Sequence, residues 1–190
     1  MKKRGLHLSL LVLLVVAGCR DALAAASIDT AWQALRQGEA VALIRHAVAP
    51  GIGDPPNFKI GDCATQRNLS DEGRVQSRRI GDAFRTRGII EATVFSSQWC
   101  RCLETARLLG FGPVDAVPAL NSFFAEPARA EEQTAALREF IAKLRPNRPS
   151  ILVTHQVNIT ALTGVYPASG EIIIVRADGE REVVLGRVVP

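Results

Sequence analysis

The sequence has few aromatic residues, 5% of the chain, and no arginine-rich tract. It therefore lacks both the stacking series and the basic stripe that mark a nucleic-acid-binding protein. The formal net charge of +4 says little about partners, because the first 26 residues hold four of the 23 basic and one of the 19 acidic residues, which leaves +1. Internal repeats and low-complexity segments are also absent. Residues 27–190 are predicted to form one domain, long enough to bury a sizeable core.

The chain also lacks an apolar run long enough to cross a bilayer comfortably. The apolar stretch at 8–17 follows the basic residues at 2–4 and precedes small residues, which is the layout of a secretory signal peptide over 1–26. Two processing routes are open: the alanines near residue 24 suit ordinary signal cleavage, whereas residues 16–19 resemble the bacterial lipobox, in which Cys19 would carry a lipid anchor. The sequence thus predicts an exported, periplasmic protein, which by the second route is a membrane-anchored lipoprotein.

Cysteine is sparse as well, since only Cys63, Cys100 and Cys102 follow the leader. An oxidising compartment favours disulfides over free thiols or zinc sites. Cys100 and Cys102 stand two apart in a predicted helix and therefore point about 200° apart, too far to pair easily or to chelate one metal. We expect Cys63 to be bonded to one of them; the alternative is three buried thiols.

Apolar runs alternate with segments of helical spacing along the chain. The predicted strands are 41–45, 92–95, 114–117 and 151–154. The predicted helices are 27–37, 71–87, 98–109, 130–144 and a short one after residue 155. A hairpin is predicted from 171–175 and 182–189. This alternation predicts an α/β fold of three layers, α/β/α, with a mostly parallel central sheet. Residues 47–68, rich in glycine and proline, are predicted to form a long irregular loop. Right-handed crossovers would place the ends of the three strongest strands, at His46, Ser96 and His155, on one edge.

Histidine is scarce too, and His46 and His155 are the two that remain after the leader. Arg45 stands beside His46, and Arg101 lies in the first turn of the helix that follows Ser96. A guanidinium grips oxyanion oxygens through its planar fork, and an imidazole can attack phosphorus through one nitrogen when the other holds the right tautomer. The sequence therefore predicts a cationic pocket for a phosphate. The plainer interpretation is two partly buried histidines with backbone hydrogen bonds and a solvated Arg101.

Four segments around these residues resemble the motifs of the histidine phosphatase superfamily, which has the phosphoglycerate mutase-like fold. They stand in the family's order and span about residues 41–160. They are Leu43-Ile44-Arg45-His46-Ala47, with Ala in the place of the motif's Gly; Arg67-Asn68-Leu69-Ser70 followed by Gly73; Ser96-Ser97 with Arg101, Thr105 and Ala106; and Thr154-His155 after an apolar strand. Arg-His pairs are common, so the resemblance depends on the whole set.

The resemblance implies a branch 1 phosphatase in which His46 is the nucleophile and forms a phosphohistidine that water hydrolyses. Arg45, Arg101 and His155 would bind the transferring phosphoryl group and stabilise its charge, and Arg67 would be a further phosphate-binding residue. No metal or other cofactor would take part. The expected function is an exported, metal-independent phosphomonoesterase with a small phosphorylated substrate.

The proton donor departs from the family's pattern. Mutase-type members have a glutamate after a Leu-Asn pair, but Leu120-Asn121 is followed by Ser122, and Gln156 replaces the acidic neighbour of the acid phosphatase branch. The nearest carboxylate, Glu126, is our candidate general acid; a plain loop carboxylate is the alternative. Two other functions therefore stay open: a phosphohistidine phosphatase, and a phosphate- or phosphosugar-binding protein with little or no turnover.

Overall fold

A six-stranded sheet organises the fold. The computed structural model describes residues 28–144, 148–179 and 181–190. The strands are β1 (Val41–Arg45), β2 (Thr93–Ser96), β3 (Val114–Ala116), β4 (Ser150–Thr154), β5 (Ile172–Asp178) and β6 (Arg181–Val188). The helices are α1 (28–36), α2 (Asp71–Thr86), α3 (Cys100–Leu108), α4 (Ala130–Ala142) and α5 (Gln156–Thr163), with 3-10 turns at Cys63–Thr65, Pro118–Leu120 and Pro127–Arg129. The predicted leader, with the lipid anchor at Cys19, lies outside the described residues.

The strand order is β3-β2-β4-β1-β5-β6. The first four strands in this order run parallel, whereas β5 pairs antiparallel with both β1 and β6. The predictions of a mostly parallel sheet and a C-terminal hairpin are therefore confirmed. Arg45 pairs with Thr154, and Ser96 pairs with Val153, so the ends of β1, β2 and β4 lie side by side at one edge, as expected.

Helices cover both faces of the sheet, which explains why β1 and β4 have no polar alternation. Successive side chains of a strand point to opposite faces. Ile44 accordingly packs in one core cluster with Trp32 and Phe84, beneath α1, α2 and α3. Leu43 packs in the other cluster with Leu137, beneath α4 and α5. The two clusters confirm the three-layer arrangement. Within the described ranges, no helix is both long and apolar enough to traverse a bilayer.

The start of α2 is packed against the chain that follows β1. Ser70 caps the helix, because its Oγ accepts a hydrogen bond from the backbone N–H of Gly73 at 3.1 Å. A Cβ at Gly73 would lie 2.1 Å from the carbonyl oxygen of Val48, so only glycine allows this approach. The backbone N–H of Ser70 also donates to Val48 O at 3.1 Å. These contacts fix the backbone two residues after His46.

A disulfide ties the long loop to α3. It joins Cys63 to Cys100, the first residue of the helix, and leaves Cys102 as a buried free thiol. The expected disulfide is thus confirmed, with Cys100 as the partner. The predicted start of this helix at residue 98 is wrong by two residues, because Trp99 has an extended backbone and serves as the N-cap.

Removal of this disulfide is expected to lower the free energy of unfolding by about 3 to 4 kcal/mol, because the bond closes a loop between residues 37 positions apart. Chemical denaturation of the double variant Cys63→Ser/Cys100→Ser, compared with the unsubstituted protein, measures the effect. A thiol reductant should destabilise the unsubstituted protein by a similar amount and leave the double variant unchanged. Equal destabilisation of both proteins by the reductant would contradict the assignment.

Candidate active site

The ends of β1, β2 and β4 bring the predicted residues into one buried cluster. His46 follows β1 and His155 follows β4, and their ring centroids lie 5.6 Å apart. Arg101, the second residue of α3, donates from Nε to His46 Nε2 at 3.2 Å. Each of these three residues is only 3% exposed. The structure therefore places both imidazoles and Arg101 together at the predicted edge of the sheet.

His46 is held in the tautomer that a nucleophile needs. Its Nδ1 lies 2.8 Å from the carbonyl oxygen of Ala47, and only a protonated nitrogen can donate in such a bond. Nε2 is then the nitrogen with the free lone pair, and it accepts the hydrogen bond from Arg101. Burial, reinforced by the positive charge of Arg101, lowers the pKa of His46 to about 3. The imidazole is therefore neutral at neutral pH.

The backbone after His46 is fixed by side chains from two helices. The N–H of Ala47 donates to Thr105 Oγ1 of α3 at 3.1 Å, and this hydroxyl donates to the carbonyl oxygen of Arg101 at 2.7 Å. The N–H of Val48 donates to Gln76 Oε1 of α2 at 3.0 Å. Because the carbonyl of Ala47 orients the ring of His46, these bonds keep Nε2 directed at Arg101. Thr105 belongs to one of the four sequence motifs, whereas no motif in the sequence includes Gln76.

His155 is enclosed by polar and aromatic side chains. Its Nε2 lies 2.8 Å from Ser97 Oγ and 3.5 Å from the sulfur of Cys102, and its ring packs edge-on against Trp99 at a centroid distance of 5.3 Å. Burial lowers the pKa of His155 well below its ordinary value and raises the pKa of the Cys102 thiol to about 12. His155 is therefore a neutral hydrogen-bonding group, and Cys102 is an uncharged packing neighbour.

Arg45 and Arg67 add positive charge to the same cluster. Arg67 donates from Nε to the carbonyl oxygen of Gly53 at 2.8 Å, and Arg45 donates from Nη1 to that of Pro167 at 3.0 Å. The Nε of Arg45 is buried, with no hydrogen-bond partner in the described part of the chain. Burial lowers the pKa of both guanidiniums, and the charge of Arg101 adds to the effect. Mutual repulsion and a buried donor without an acceptor are features that a bound anion would relieve.

The carboxylate of Asp54 contacts this cluster, and the sequence patterns do not predict it. Its Oδ1 accepts from Arg101 Nη1 at 2.7 Å, and its Oδ2 accepts from Arg101 Nη2 at 3.1 Å and from Trp99 Nε1 at 2.9 Å. The side chain of Asp54 is 16% exposed. It lies in the long loop, where no periodicity or motif distinguishes one acidic residue from another. Its role becomes visible only from the path of the loop across α3.

Glu126, the candidate general acid, lies outside these direct contacts. Its side chain is exposed and precedes the 3-10 turn Pro127–Arg129. Within the described ranges, no hydrogen bond or ion pair joins its carboxylate to either histidine. The segment does approach the long loop, because a Cβ at Gly53 would lie 3.8 Å from the ring of Phe124. The assignment of Glu126 as general acid stays a prediction.

Comparison with solved structures identifies the fold. The protein histidine phosphatase SixA in complex with tungstate superposes with a TM-score of 0.55 and 16% identity, over 79% of this chain and 96% of SixA. A variant phosphoserine phosphatase of Entamoeba histolytica with phosphoserine gives a TM-score of 0.56 and 15% identity, over 78% and 95% of the two chains. A mycobacterial glucosyl-3-phosphoglycerate phosphatase gives a TM-score of 0.52 and 17% identity, over 77% of this chain and 96% of that protein.

No protein-family model and no curated protein matches this sequence. At the identities of the solved structures, the likeness shows the fold alone. The chain has the phosphoglycerate mutase-like fold of the histidine phosphatases, and the resemblance found in the sequence motifs is confirmed at this level.

Proposed function

We propose that this protein is an exported, metal-independent phosphomonoesterase that acts through a phosphohistidine on His46. The observation that carries the proposal is the neutral His46, whose Nε2 lies 3.2 Å from Arg101 Nε beside two further guanidiniums. A phosphoryl group at this point would meet a nucleophile and fixed positive charge together. These are the main requirements of phosphoryl transfer.

In the first step, the lone pair of His46 Nε2 forms a bond to phosphorus, and the bond from phosphorus to the ester oxygen breaks. Arg101 transfers its Nε hydrogen bond from His46 to a phosphoryl oxygen, and the positive charges of Arg45 and Arg67, which act on His46, stabilise the negative charge of the phosphoryl group. The positive charge that develops on the imidazole is stabilised through the hydrogen bond from Nδ1 to the carbonyl of Ala47. In the second step, water attacks phosphorus, the N–P bond breaks, and His46 is restored with release of inorganic phosphate.

The leaving group takes up a proton in the first step, and Glu126 is our candidate donor. Its carboxylate is exposed and makes no bond to the cluster within the described part of the chain, so substrates with good leaving groups are expected to react faster than alkyl phosphates. The same observation favours a second candidate function, hydrolysis of phosphohistidine. The P–N bond of such a substrate breaks readily with little help from an acid.

Export is proposed from the leader and is supported by the disulfide. A bond between Cys63 and Cys100 fits an oxidising compartment such as the periplasm. Mass spectrometry of the protein recovered from its native cells separates the two processing routes. An N-terminus near residue 27 indicates ordinary signal cleavage, a lipidated N-terminal Cys19 indicates an anchored lipoprotein, and an intact leader contradicts export.

The protein is expected to hydrolyse an aryl phosphate such as p-nitrophenyl phosphate at a rate that a metal chelator does not change, because fixed guanidiniums supply the positive charge. Initial rates with and without EDTA measure this. Loss of activity in EDTA that a divalent cation restores would contradict metal independence. If the protein binds inorganic phosphate but shows no turnover, the proposed phosphatase activity is wrong, and the alternative of a phosphate-binding protein is favoured.

The kcat for the aryl phosphate is expected to fall less than about twofold between pH 8 and pH 5, because burial keeps the pKa of His46 near 3. A histidine of ordinary pKa would lose roughly thirtyfold of its neutral form at pH 5. The measurement is kcat at saturating substrate, repeated with a second substrate whose phosphate ionises at a different pH. A fall in kcat with an apparent pKa near 6.5 for both substrates would contradict the neutral nucleophile.

A further inference from the structure

Asp54 makes contacts at the cluster that the proposed steps do not use. A guanidinium presents two hydrogen-bonding edges, one formed by Nη1 and Nη2 and the other by Nε and Nη2. Asp54 accepts at 2.7 Å and 3.1 Å along the first edge of Arg101. The second edge carries the Nε that donates to His46 Nε2 at 3.2 Å. One residue thus lies between a carboxylate on one side and the nucleophile on the other.

The planar fork of Arg101 makes these two contacts interdependent. Because all the nitrogens of a guanidinium lie in one plane, fixing the first edge also fixes the direction of the second. An arginine held only by its flexible stem would sample many orientations. With the carboxylate in place, a phosphoryl oxygen that arrives beside His46 meets the Nε and Nη2 donors already aligned, at no further cost in side-chain entropy.

Asp54 is itself held by three different partners. Besides Arg101, Trp99 Nε1 donates to Oδ2 at 2.9 Å, and the backbone N–H of Arg67 donates to Oδ1 at 3.1 Å. The disulfide further fixes the loop, since Cys63 is bonded to the residue that precedes Arg101. Burial alone would raise the pKa of Asp54, but the hydrogen bonds and charge of Arg101 outweigh it and hold the pKa below its ordinary value. The group is a carboxylate, so it has no proton to donate.

The charge of Asp54 also acts on the bound anion. The charges of Arg45, Arg67 and Arg101 act on the neutral His46, and Asp54 contacts the guanidinium of Arg101 directly. A negative charge there weakens the attraction between the pocket and phosphate, both as substrate and as product. Removal of the charge should therefore strengthen phosphate binding even where it slows the reaction.

We propose that Asp54 is a positioning residue for phosphoryl transfer: it holds the second edge of Arg101 toward His46 Nε2, and its charge limits the retention of phosphate. This inference rests on the proposed function. Asp54 acts through Arg101 and does not touch the reacting atoms.

The variant Asp54→Asn tests the proposal, because it keeps the shape of the side chain and removes its charge and one acceptor. The kcat for p-nitrophenyl phosphate is expected to fall at least about tenfold, whereas the dissociation constant of inorganic phosphate, measured by calorimetry, is expected to decrease several-fold. A merely structural role would raise both the KM and this dissociation constant. That result, or an unchanged kcat, would overturn the proposal.

Asp62→Asn is the matched control, because Asp62 lies in the same loop, is exposed, and accepts from the N–H of Ala64 at 3.1 Å, which an asparagine can also do. The kcat and the dissociation constant of inorganic phosphate should both be unchanged in this variant. Asp54→Glu provides a second variant that keeps the charge but displaces it. Its phosphate affinity is expected to match that of the unsubstituted protein while its kcat falls; tighter phosphate binding in Asp54→Glu would contradict the role of the charge.

A double-mutant cycle with Arg101→Lys tests whether Asp54 acts through Arg101. A lysine has no second edge to align, so Asp54→Asn should reduce kcat less than about twofold in that background. An undiminished effect would overturn the proposal. So would a loss of activity in Asp54→Asn that grows with the pKa of the leaving group, because that dependence marks a proton donor. A failure of the proposed function can be distinguished from a failure of the proposed role of Asp54, because the unsubstituted protein would then bind phosphate without turnover.

Discussion

Replacement of His46 by alanine is expected to lower kcat for an aryl phosphate by a factor of about 10³ or more, because it removes the nucleophile and no other group stands in its place. The buried Nε2 that accepts from Arg101 at 3.2 Å is lost, and with it the covalent route. Steady-state kinetics give the factor. An alkaline denaturing quench during turnover of a ³²P-labelled substrate should show a label on the unsubstituted protein that later acid treatment releases, and no label on the variant.

His155→Ala is the informative control for that experiment. It removes the second imidazole, whose ring centroid is 5.6 Å from that of His46, but leaves the nucleophile and its tautomer intact. We expect a loss of about 10²-fold in kcat with the label on His46 still detectable. Label on His46→Ala, or label that moves to His155, would contradict the assignment of the nucleophile.

Replacement of Arg101 by alanine has the second-largest expected effect, a fall in kcat/KM of about 10² to 10³-fold. The variant loses donors aligned with the reacting phosphate and leaves Asp54 without its main partner. Because breaking a buried ion pair exposes the remaining charge to an unfavourable environment, the free energy of unfolding should also fall by about 3 kcal/mol. Kinetics and chemical denaturation measure the two effects separately.

Arg107→Ala is the matched control, since Arg107 is an exposed arginine in the last turn of the same helix. Its kinetics and stability should stay close to those of the unsubstituted protein. If Arg101→Ala keeps its kcat/KM within about threefold while Arg107→Ala does the same, then Arg101 is a structural residue and the proposed phosphate site is wrong.

Much of the candidate site is predictable because its residues stand next to strong local signals. His46 and His155 follow strands with no polar alternation, which marks strands covered on both faces. Arg101 follows a strand-turn-helix pattern, and a parallel sheet brings such ends to one edge. The order of motifs along the chain then indicated the fold family, which the solved structures confirm for the fold.

Other parts of the site were beyond prediction because they depend on contacts across an irregular loop. Asp54 is one of two acidic residues in the loop 47–68, which has no periodicity, and its bond to Arg101 spans 47 positions of sequence. Gln76 likewise accepts a hydrogen bond from the backbone N–H of Val48, a residue 28 positions away in the sequence. The proton donor has no motif in this sequence; Glu126 is a candidate only as the nearest carboxylate along the chain, and its side chain is exposed in the structure.

The sequence by itself determined the class of fold and predicted the edge of the sheet at which the candidate site lies, with His46, Arg45, Arg101 and His155 as candidate residues. It could do so because hydrophobic periodicity and strand ends are local properties. Only the tertiary structure decided the tautomer of His46, the choice of Cys100 over Cys102 as the partner of Cys63, and the carboxylate that faces Arg101. Each of these depends on distances between segments far apart in the chain, which packing determines and local composition does not encode.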